Sequence, residues 1–147
     1  MANPQQYPEA GKGKGPKDKA SPTLRDLARQ SQLDFEIEFY KGILEHHPDY
    51  VEVLRILGFG LTQARRYSEA LEVDLRLVRL RPNDPVAHYN LACSYAQSLQ
   101  TDHAIKALRR AVELGYRDFR HIRQDRDLDP IRSDPRYQQL IREYEGR

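Results

Sequence analysis

The sequence predicts an all-α protein built as a stack of antiparallel helix pairs. Two neighbouring stretches, 51–84 and 85–118, carry the same residue pattern at an offset of 34. The recurring pairs are Leu57 and Leu91, Ala70 and Ala104, Val78 and Val112, and Leu80 and Leu114. A fixed period of this length is typical of helical repeat proteins, whose unit is a helix–turn–helix.

The composition also favours a stack over a single compact core. Hydrophobic residues make up 39% of the 147 residues, and charged residues make up 31%. A globule would need more apolar residues, whereas each unit of a stack buries its apolar face only against its neighbours. We therefore expect one domain of stacked helix pairs over residues 21–147.

Residues 1–20 are predicted to form a disordered basic tail. They are rich in proline, glycine and lysine, and Tyr7 is their one aromatic residue. Such a segment buries too little apolar surface to offset the entropy that ordering would cost. The net charge of +2 lies in this tail, because basic and acidic residues balance in the rest of the chain. A body without net charge is not expected to attract nucleic acid.

The sequence carries no signal for export or for a membrane. The lysines near the N-terminus are followed by no apolar segment, which a secretory signal would require. No apolar run approaches the roughly 20 residues that span a bilayer. We therefore expect a cytoplasmic location.

Apolar residues at helical spacing, together with start and stop signals, set the expected helices. The start signals are Ser21–Pro22, the capping-box spacing of Asp49 and Glu52, Asp84–Pro85, and Thr101. Gly115 lies where a left-handed residue would end a helix. The expected helices span 22–31, 33–47, 50–63, 67–80, 85–97, 101–114, 118–124 and 135–145, with a turn over 127–130.

The two repeats resemble the tetratricopeptide repeat, or TPR, whose unit pairs a helix A with a helix B. Counted from 51, the matching residues are Leu54, Leu57, Gly58, Leu61, Ala70, Leu77 and Pro82. Counted from 85, they are Leu91, Ala92, Tyr95, Ala104, Leu108 and Ala111. Asp74 departs from the family's usual aromatic residue. With a weak repeat over 17–50, the resemblance implies a right-handed superhelical stack, the TPR α-solenoid.

The segment 119–147 is expected to cap the stack, because a repeat array must cover the exposed face of its last unit. It is dense in arginine and aspartate, and it resembles the tail that often closes bacterial TPR arrays. The apolar stripe expected to cover helix 101–114 consists of Tyr137, Leu140, Ile141 and Tyr144.

In TPR proteins the A helices line a concave groove that holds an extended segment of a partner. The resemblance places eight residues in or beside this groove: Arg55, Phe59, Gln63, Tyr89, Asn90, Cys93, Gln97 and Arg120. Phe59 and Tyr89 are aromatic residues at positions expected to be exposed, where they would provide contact area. The amide side chains would pair with peptide groups of the partner. The alternative is that Phe59 and Tyr89 pack on each other or under the C-terminal segment.

The arginines among these residues favour a partner with an acidic segment. One TPR subclass grips the C-terminal carboxylates of chaperones with a two-carboxylate clamp, and Arg55, Asn90 and Arg120 occupy positions of that clamp. Phe59 and Gln124 depart from it, so the match is partial. The resemblance therefore implies a protein or peptide partner.

No residue pattern indicates catalysis, so the expected function is that of a non-catalytic adaptor or scaffold. His88, His103 and His121 are scattered, and no metal or cofactor motif is present. Cys93 is the single cysteine, which excludes an internal disulfide and a zinc site of the CxxC type. We expect no catalytic residue, no cofactor and no metal, and a monomer or weak homo-oligomer. The alternative is a structural subunit that self-associates or caps a larger assembly through its helix faces.

Overall fold

The computed structural model describes residues 21–147, and the predicted tail over 1–20 lies outside the described residues. Every regular element in the described part is helical. The α-helices are α1 (Leu24–His46), α2 (Val51–Gln63), α3 (Tyr67–Leu80), α4 (Pro85–Gln97), α5 (Thr101–Glu113), α6 (Phe119–Gln124), α7 (Asp129–Arg132) and α8 (Pro135–Tyr144), and a 3₁₀ helix spans Arg126–Leu128. Helices α1 to α4 each pack on the next helix in the chain. The predicted fold class, an all-α stack of helix pairs, is confirmed.

The 34-residue period is visible in the backbone of the two helix pairs, α2 with α3 and α4 with α5. The turn inside each pair passes through a residue with positive φ, Arg65 at 57° and Leu99 at 58°. The next residues, Arg66 and Gln100, each donate a 2.9 Å backbone hydrogen bond to the carbonyl five residues earlier. This pattern ends the first helix of each pair in the same way, because it satisfies a carbonyl that the helix leaves open.

The two helices expected over 22–31 and 33–47 are wrong, because α1 is one continuous helix. No proline or glycine interrupts residues 31–33, so nothing in the chain forces a break there. Side-chain hydrogen bonds one turn apart support the continuous helix on its exposed side. They join Gln30 to Asp34 and Gln32 to Glu36. The weak repeat therefore contributes a single helix over residues 21–50 and not a helix pair.

The start of α1 also differs from the expectation. Thr23 is the N-cap in place of Ser21, and its hydroxyl accepts a hydrogen bond from the Asp26 N–H at 3.1 Å. The Asp26 carboxylate accepts in return from the Thr23 N–H at 3.0 Å. This reciprocal pair is a capping box, so the helix starts where two backbone donors are satisfied together.

The capping box expected of Asp49 and Glu52 is absent from the start of α2. Tyr50 is the N-cap of α2, and its side chain makes no capping hydrogen bond. Asp49 instead faces Arg76 of α3, with 3.5 Å between the carboxylate oxygen and the guanidinium nitrogen. The position of α3, which local sequence does not reveal, therefore decides where this carboxylate points.

The remaining start and stop signals are mostly confirmed. The carboxylate of Asp84 accepts from the N–H groups of Val86 and Ala87 at the start of α4. Gly115 follows α5 with a φ of 115°. Thr101 is the first residue of α5 and not its cap.

Small residues allow the helices to approach closely. Ala70 of α3 is fully buried. A Cβ atom added at Gly58 of α2 would lie 3.1 Å from an oxygen of Asp74 and 3.4 Å from a methyl carbon of Val73, both on α3. These are the positions where the family resemblance requires small residues, and the contacts supply the physical reason.

The C-terminal segment packs against the last helix pair. Helices α7 and α8 pack on α5, and the largest cluster of buried apolar side chains joins α4 and α5 to this segment. Of the predicted stripe, Tyr137, Leu140 and Ile141 are buried and Tyr144 is partly buried. An ion pair of 3.1 Å between Arg109 of α5 and Glu143 of α8 borders this contact.

The turn expected over 127–130 is replaced by the 3₁₀ helix and α7. The Asp125 carboxylate caps the 3₁₀ helix by accepting from the Asp127 N–H at 3.0 Å. Pro130 lies in the first turn of α7, where its missing N–H costs nothing. The chain therefore turns through two short helical segments that bring residues 125–127 back against α4.

Candidate functional site

A concave surface of the described chain lies between α2, α4 and residues 121–127. It is a pocket of about 390 Å³. Its lining residues are Gly58, Phe59, Thr62, Gln63, Asp74, Tyr89, Asn90, Cys93, His121, Asp125 and Asp127. Helices α2 and α4 are the A helices of the two repeats, so the pocket occupies the groove that the sequence predicted.

The predicted exposure of Tyr89 is wrong, because its side chain is only 4% exposed. Its ring stacks on Tyr116 with 4.2 Å between centroids, and its hydroxyl donates a 2.6 Å hydrogen bond to Asp125. Burial, with the Asp125 carboxylate adding to it, raises the pKa of the Tyr89 phenol. For Tyr89 the alternative to an exposed binding residue is therefore correct, because its ring packs under the C-terminal segment.

Cys93 and Gln97 are likewise engaged by the C-terminal segment. The Cys93 thiol is buried and lies 3.8 Å from the Asp125 carboxylate. Burial raises the pKa of this thiol well above its ordinary value, so it is neutral and not an activated nucleophile. The Gln97 amide donates a 3.0 Å hydrogen bond to the carbonyl of Asp127. These two residues hold residues 125–127 against α4.

Three predicted groove residues remain accessible. Phe59 is 68% exposed, and Gln63 and Asn90 are exposed beside it along the pocket wall. An exposed phenylalanine next to two amide side chains offers apolar contact and hydrogen bonding together. The structure therefore brings together Phe59, Gln63 and Asn90 as an open surface.

The two arginines among the predicted residues do not line the pocket. Arg55 of α2 pairs with Asp84, the N-cap of α4, and this pair links the two A helices. Arg120 is exposed on α6. The Arg55 guanidinium therefore already has a carboxylate partner within the chain.

Asp74 is a pocket residue that the sequence reasoning missed. It is 3% exposed, and its carboxylate accepts a 2.5 Å hydrogen bond from Ser94 of α4. Burial raises the pKa of its carboxyl to about 6, although the hydrogen bond from Ser94 acts in the opposite direction. The sequence did contain a signal for Asp74, because this aspartate occupies a position where the TPR pattern has an aromatic residue.

His121, Asp125 and Asp127 were also missed as pocket residues. The Nε2 atom of His121 lies 3.3 Å from an Asp125 oxygen. Burial and the neighbouring Asp125 carboxylate raise the pKa of Asp127. No sequence pattern places these residues opposite α2, because their position depends on how the C-terminal segment folds back.

Among the described residues, Cys93, Asp125 and Asp127 form the one group of side chains whose donor atoms could hold a metal ion, all within 4.8 Å of one another. Asp125 already accepts hydrogen bonds from Tyr89 and from the Asp127 backbone. A metal would also require the thiolate of Cys93, which burial disfavours. The geometry therefore suits hydrogen bonding better than metal coordination.

The fold and the groove define a helical repeat protein with a TPR-like fold. A solved structure described as "MamA RS-1 ArsTM double mutant" superposes with a TM-score of 0.57, and the match covers 84% of this chain and 74% of that chain. The two sequences are 21% identical, so this likeness concerns the fold. A scan against protein-family models finds no match for this chain.

A chloroplastic protein of Arabidopsis thaliana is similar in sequence to part of this chain. The two are 32% identical over 91 residues, which is 60% of this chain and 27% of that protein. The chain therefore spans about a quarter of that relative's length. Because the relative is a chloroplast protein, the cytoplasmic location expected for this chain stays a prediction. No helix within residues 21–147 is both long and apolar enough to cross a membrane.

Proposed function

We propose that this protein is a non-catalytic adaptor that binds an extended segment of a partner protein in the groove between α2 and α4. The observation that carries the proposal is the exposed ring of Phe59 at the wall of the concave pocket. An aromatic residue that could have been buried is presented to solvent beside Gln63 and Asn90. Aromatic residues in partly enclosed sites dominate the energy of many protein interfaces.

The chemistry of the pocket supports binding over catalysis. The phenol of Tyr89 and the thiol of Cys93 both have a raised pKa, so neither supplies an anion at neutral pH. The Asp125 carboxylate is occupied by the Tyr89 hydroxyl. What remains open is an apolar ring with amide and carboxylate groups around it, which suits recognition of a polypeptide.

The test is affinity capture from native cell extract with the wild type and two single variants. Phe59→Ala removes the proposed anchor, and Phe35→Ala is a matched control. Phe35 lies on α1 and is also 68% exposed, but it is not a pocket residue. We expect a partner that the wild type and Phe35→Ala retain and that Phe59→Ala loses, with Kd raised about 30-fold if Phe59 is a hot spot.

A partner that Phe59→Ala binds as tightly as the wild type would place the interaction outside the groove. The folded state of each variant is checked by its far-UV circular dichroism spectrum. Each substitution removes one phenylalanine ring, and the two rings are equally exposed. A difference in partner binding between the variants therefore depends on where the ring lies and not on the loss of apolar surface alone.

The second candidate function is self-association through α1. Four large apolar side chains of this helix are at least half exposed: Leu24, Leu27, Phe35 and Phe39. The rings of Phe35 and Phe39 lie 6.4 Å apart on the same side of the helix. An exposed apolar stripe of this kind is typical of an interface.

Light scattering at increasing concentration tests this candidate. If α1 forms the interface, the mass of the wild type exceeds that of a monomer, and Phe35→Glu with Phe39→Glu restores the monomer. Phe59→Glu is the control, because it places a negative charge at an exposed phenylalanine outside α1. A wild type that stays monomeric at all concentrations would reject self-association.

A further inference from the structure

The pocket of the groove has an acidic lining with one deeply buried carboxylate. Asp74 is 3% exposed, and one of its oxygens accepts the hydrogen bond from Ser94. The other oxygen accepts no hydrogen bond among residues 21–147, and it lies close to Gly58, where an added Cβ atom would be 3.1 Å from it. No fully buried polar side-chain atom of residues 21–147 lacks a hydrogen-bond partner, so this oxygen is open to the pocket that Asp74 lines and is free to accept from a ligand.

The opposite wall of the pocket carries two further carboxylates. Asp125 and Asp127 come from the C-terminal segment and lie against α4. Within the described chain, the carboxylate of Asp127 accepts no side-chain or backbone hydrogen bond. Among the lining residues, His121 is the one that can become cationic. Asp125 is already engaged by Tyr89 and lies 3.3 Å from His121. Asp74 and Asp127 are therefore the carboxylates that can offer oxygens to a ligand, in a space where the chain supplies little positive charge.

We propose that this pocket takes the guanidinium group of an arginine in the partner's bound segment. The inference rests on the proposed function, since it names the side chain that the groove recognises. A guanidinium presents five donors in one plane, which suits carboxylates on two sides. Its flat face can also stack on the exposed ring of Phe59. A lysine would bring the same charge as a single point without the planar match.

The charge of the pocket argues against the acidic partner expected from Arg55 and Arg120. Arg55 is paired with Asp84 outside the pocket. An acidic side chain entering the pocket would meet Asp74, Asp125 and Asp127. Like charges at close range oppose binding. Burial raises the pKa of Asp74 to about 6, and an arginine beside the carboxylate would favour its charged form.

The experiment is an NMR titration of the full ¹⁵N-labelled chain with two capped five-residue peptides. One has a central arginine, and the other has citrulline, which is neutral and of the same shape. We expect the arginine peptide to shift the amide signals of pocket residues on α2 and α4. The citrulline peptide should bind at least tenfold more weakly, as loss of a charged partner at a desolvated site predicts. Equal binding of the two peptides would overturn the proposal.

Two variants test whether the arginine peptide binds in this pocket. Asp74→Asn keeps the shape and the hydrogen bond from Ser94 but removes the charge, and it should weaken arginine-peptide binding about tenfold. Asp49→Asn is the matched control, because Asp49 does not line this pocket and its side chain is 71% exposed. Equal weakening by both variants would mean that net charge and not the pocket attracts the peptide, which would also overturn the proposal.

Zn²⁺ alone is titrated as the competing occupant, because Cys93, Asp125 and Asp127 lie together in the same pocket. Zn²⁺ binding that displaces the arginine peptide would make this a metal site and reject the proposal. Capture of the partner distinguishes the proposed function of the groove from the proposed arginine pocket. If Phe59→Ala loses the partner while Asp74→Asn retains it, the groove function stands and the arginine pocket fails.

Discussion

At the scale of single residues, Asp74 couples the stability of the fold to pH. Burial raises its pKa from the ordinary 3.8 to about 6 in the folded state. Between these values the folded chain holds a proton that the unfolded chain releases, so stability falls as pH rises through this window. Above pH 6 the charged, buried carboxylate costs on the order of 3 kcal/mol.

Asp74→Asn should therefore stabilise the protein at pH 7.5 and change little at pH 4. Urea unfolding at both pH values measures the difference between wild type and variant. Cys93, His121, Asp125 and Asp127 line the same pocket and are present in both chains, so the difference reports Asp74 together with its coupling to these neighbours. A variant that is less stable than the wild type at pH 7.5 would contradict the assignment.

Ala70 shows how a single methyl group sets the spacing of α2 and α3. It is fully buried, so Ala70→Leu should lower the free energy of unfolding by roughly 1–3 kcal/mol through overpacking. Ala28→Leu is the matched control, because Ala28 lies exposed on α1 and leucine is a good helix former. Chemical denaturation that gives the same midpoint for both variants would show that the contact at Ala70 is not tight.

At the scale of elements, the two turns within the helix pairs contain backbone strain. Arg65 and Leu99 have positive φ, which costs a residue with a Cβ atom roughly 1–2 kcal/mol. Each repeat places this residue at the same position, so the strain belongs to the turn and not to the particular side chain. Glycine is the residue that this position favours.

Leu99→Gly should therefore stabilise the protein by about 1 kcal/mol, after the greater chain entropy of glycine in the unfolded state is subtracted. Thermal unfolding measures the change. Gln100→Gly is the control, because Gln100 has a φ of −96° and gains nothing from glycine. A loss of stability in both variants would mean that the turn is not strained at Leu99.

At the scale of the whole molecule, the two ends of the stack are closed differently. The C-terminal end is covered by α7 and α8, which pack on α5. The N-terminal end presents α1, whose exposed side carries Phe35 and Phe39. Repeat stacks use capping segments to cover their terminal faces, so we expect the C-terminal segment to be structural and association to begin at α1.

Removing residues 134–147 should lower stability and promote association, because it uncovers the apolar face of α5. Tyr137, Leu140 and Ile141 each bury most of their side chain, and each contributes roughly 1.5–3 kcal/mol. Urea unfolding and light scattering measure the two effects. Removing residues 146–147, which are exposed, is the control. A long truncation that stays monomeric with an unchanged midpoint would show that the segment serves another purpose.

The repeat architecture could be predicted from the sequence because residues of the same type recur at a fixed period along the chain. Apolar spacing placed α2 to α5 to within about one residue at each end, and Phe59 was correctly expected to be exposed. The errors at Ser21 and Asp49 came from capping signals that compete over a few residues, whereas the expected break in α1 had no proline or glycine behind it. Near-equal local alternatives of this kind are decided by small energies and by helices that pack later in the chain.

The sequence by itself determined the all-α stack, the small residues at the helix crossings and the apolar stripe of α8, because each depends on residues close together in the chain. Only the tertiary structure decided the chemistry of the groove. The C-terminal segment folds back on α4, buries Tyr89 and Cys93, and brings Asp125 and Asp127 toward Asp74. Contacts between residues some thirty positions apart follow from how the helices pack, and no local periodicity records them.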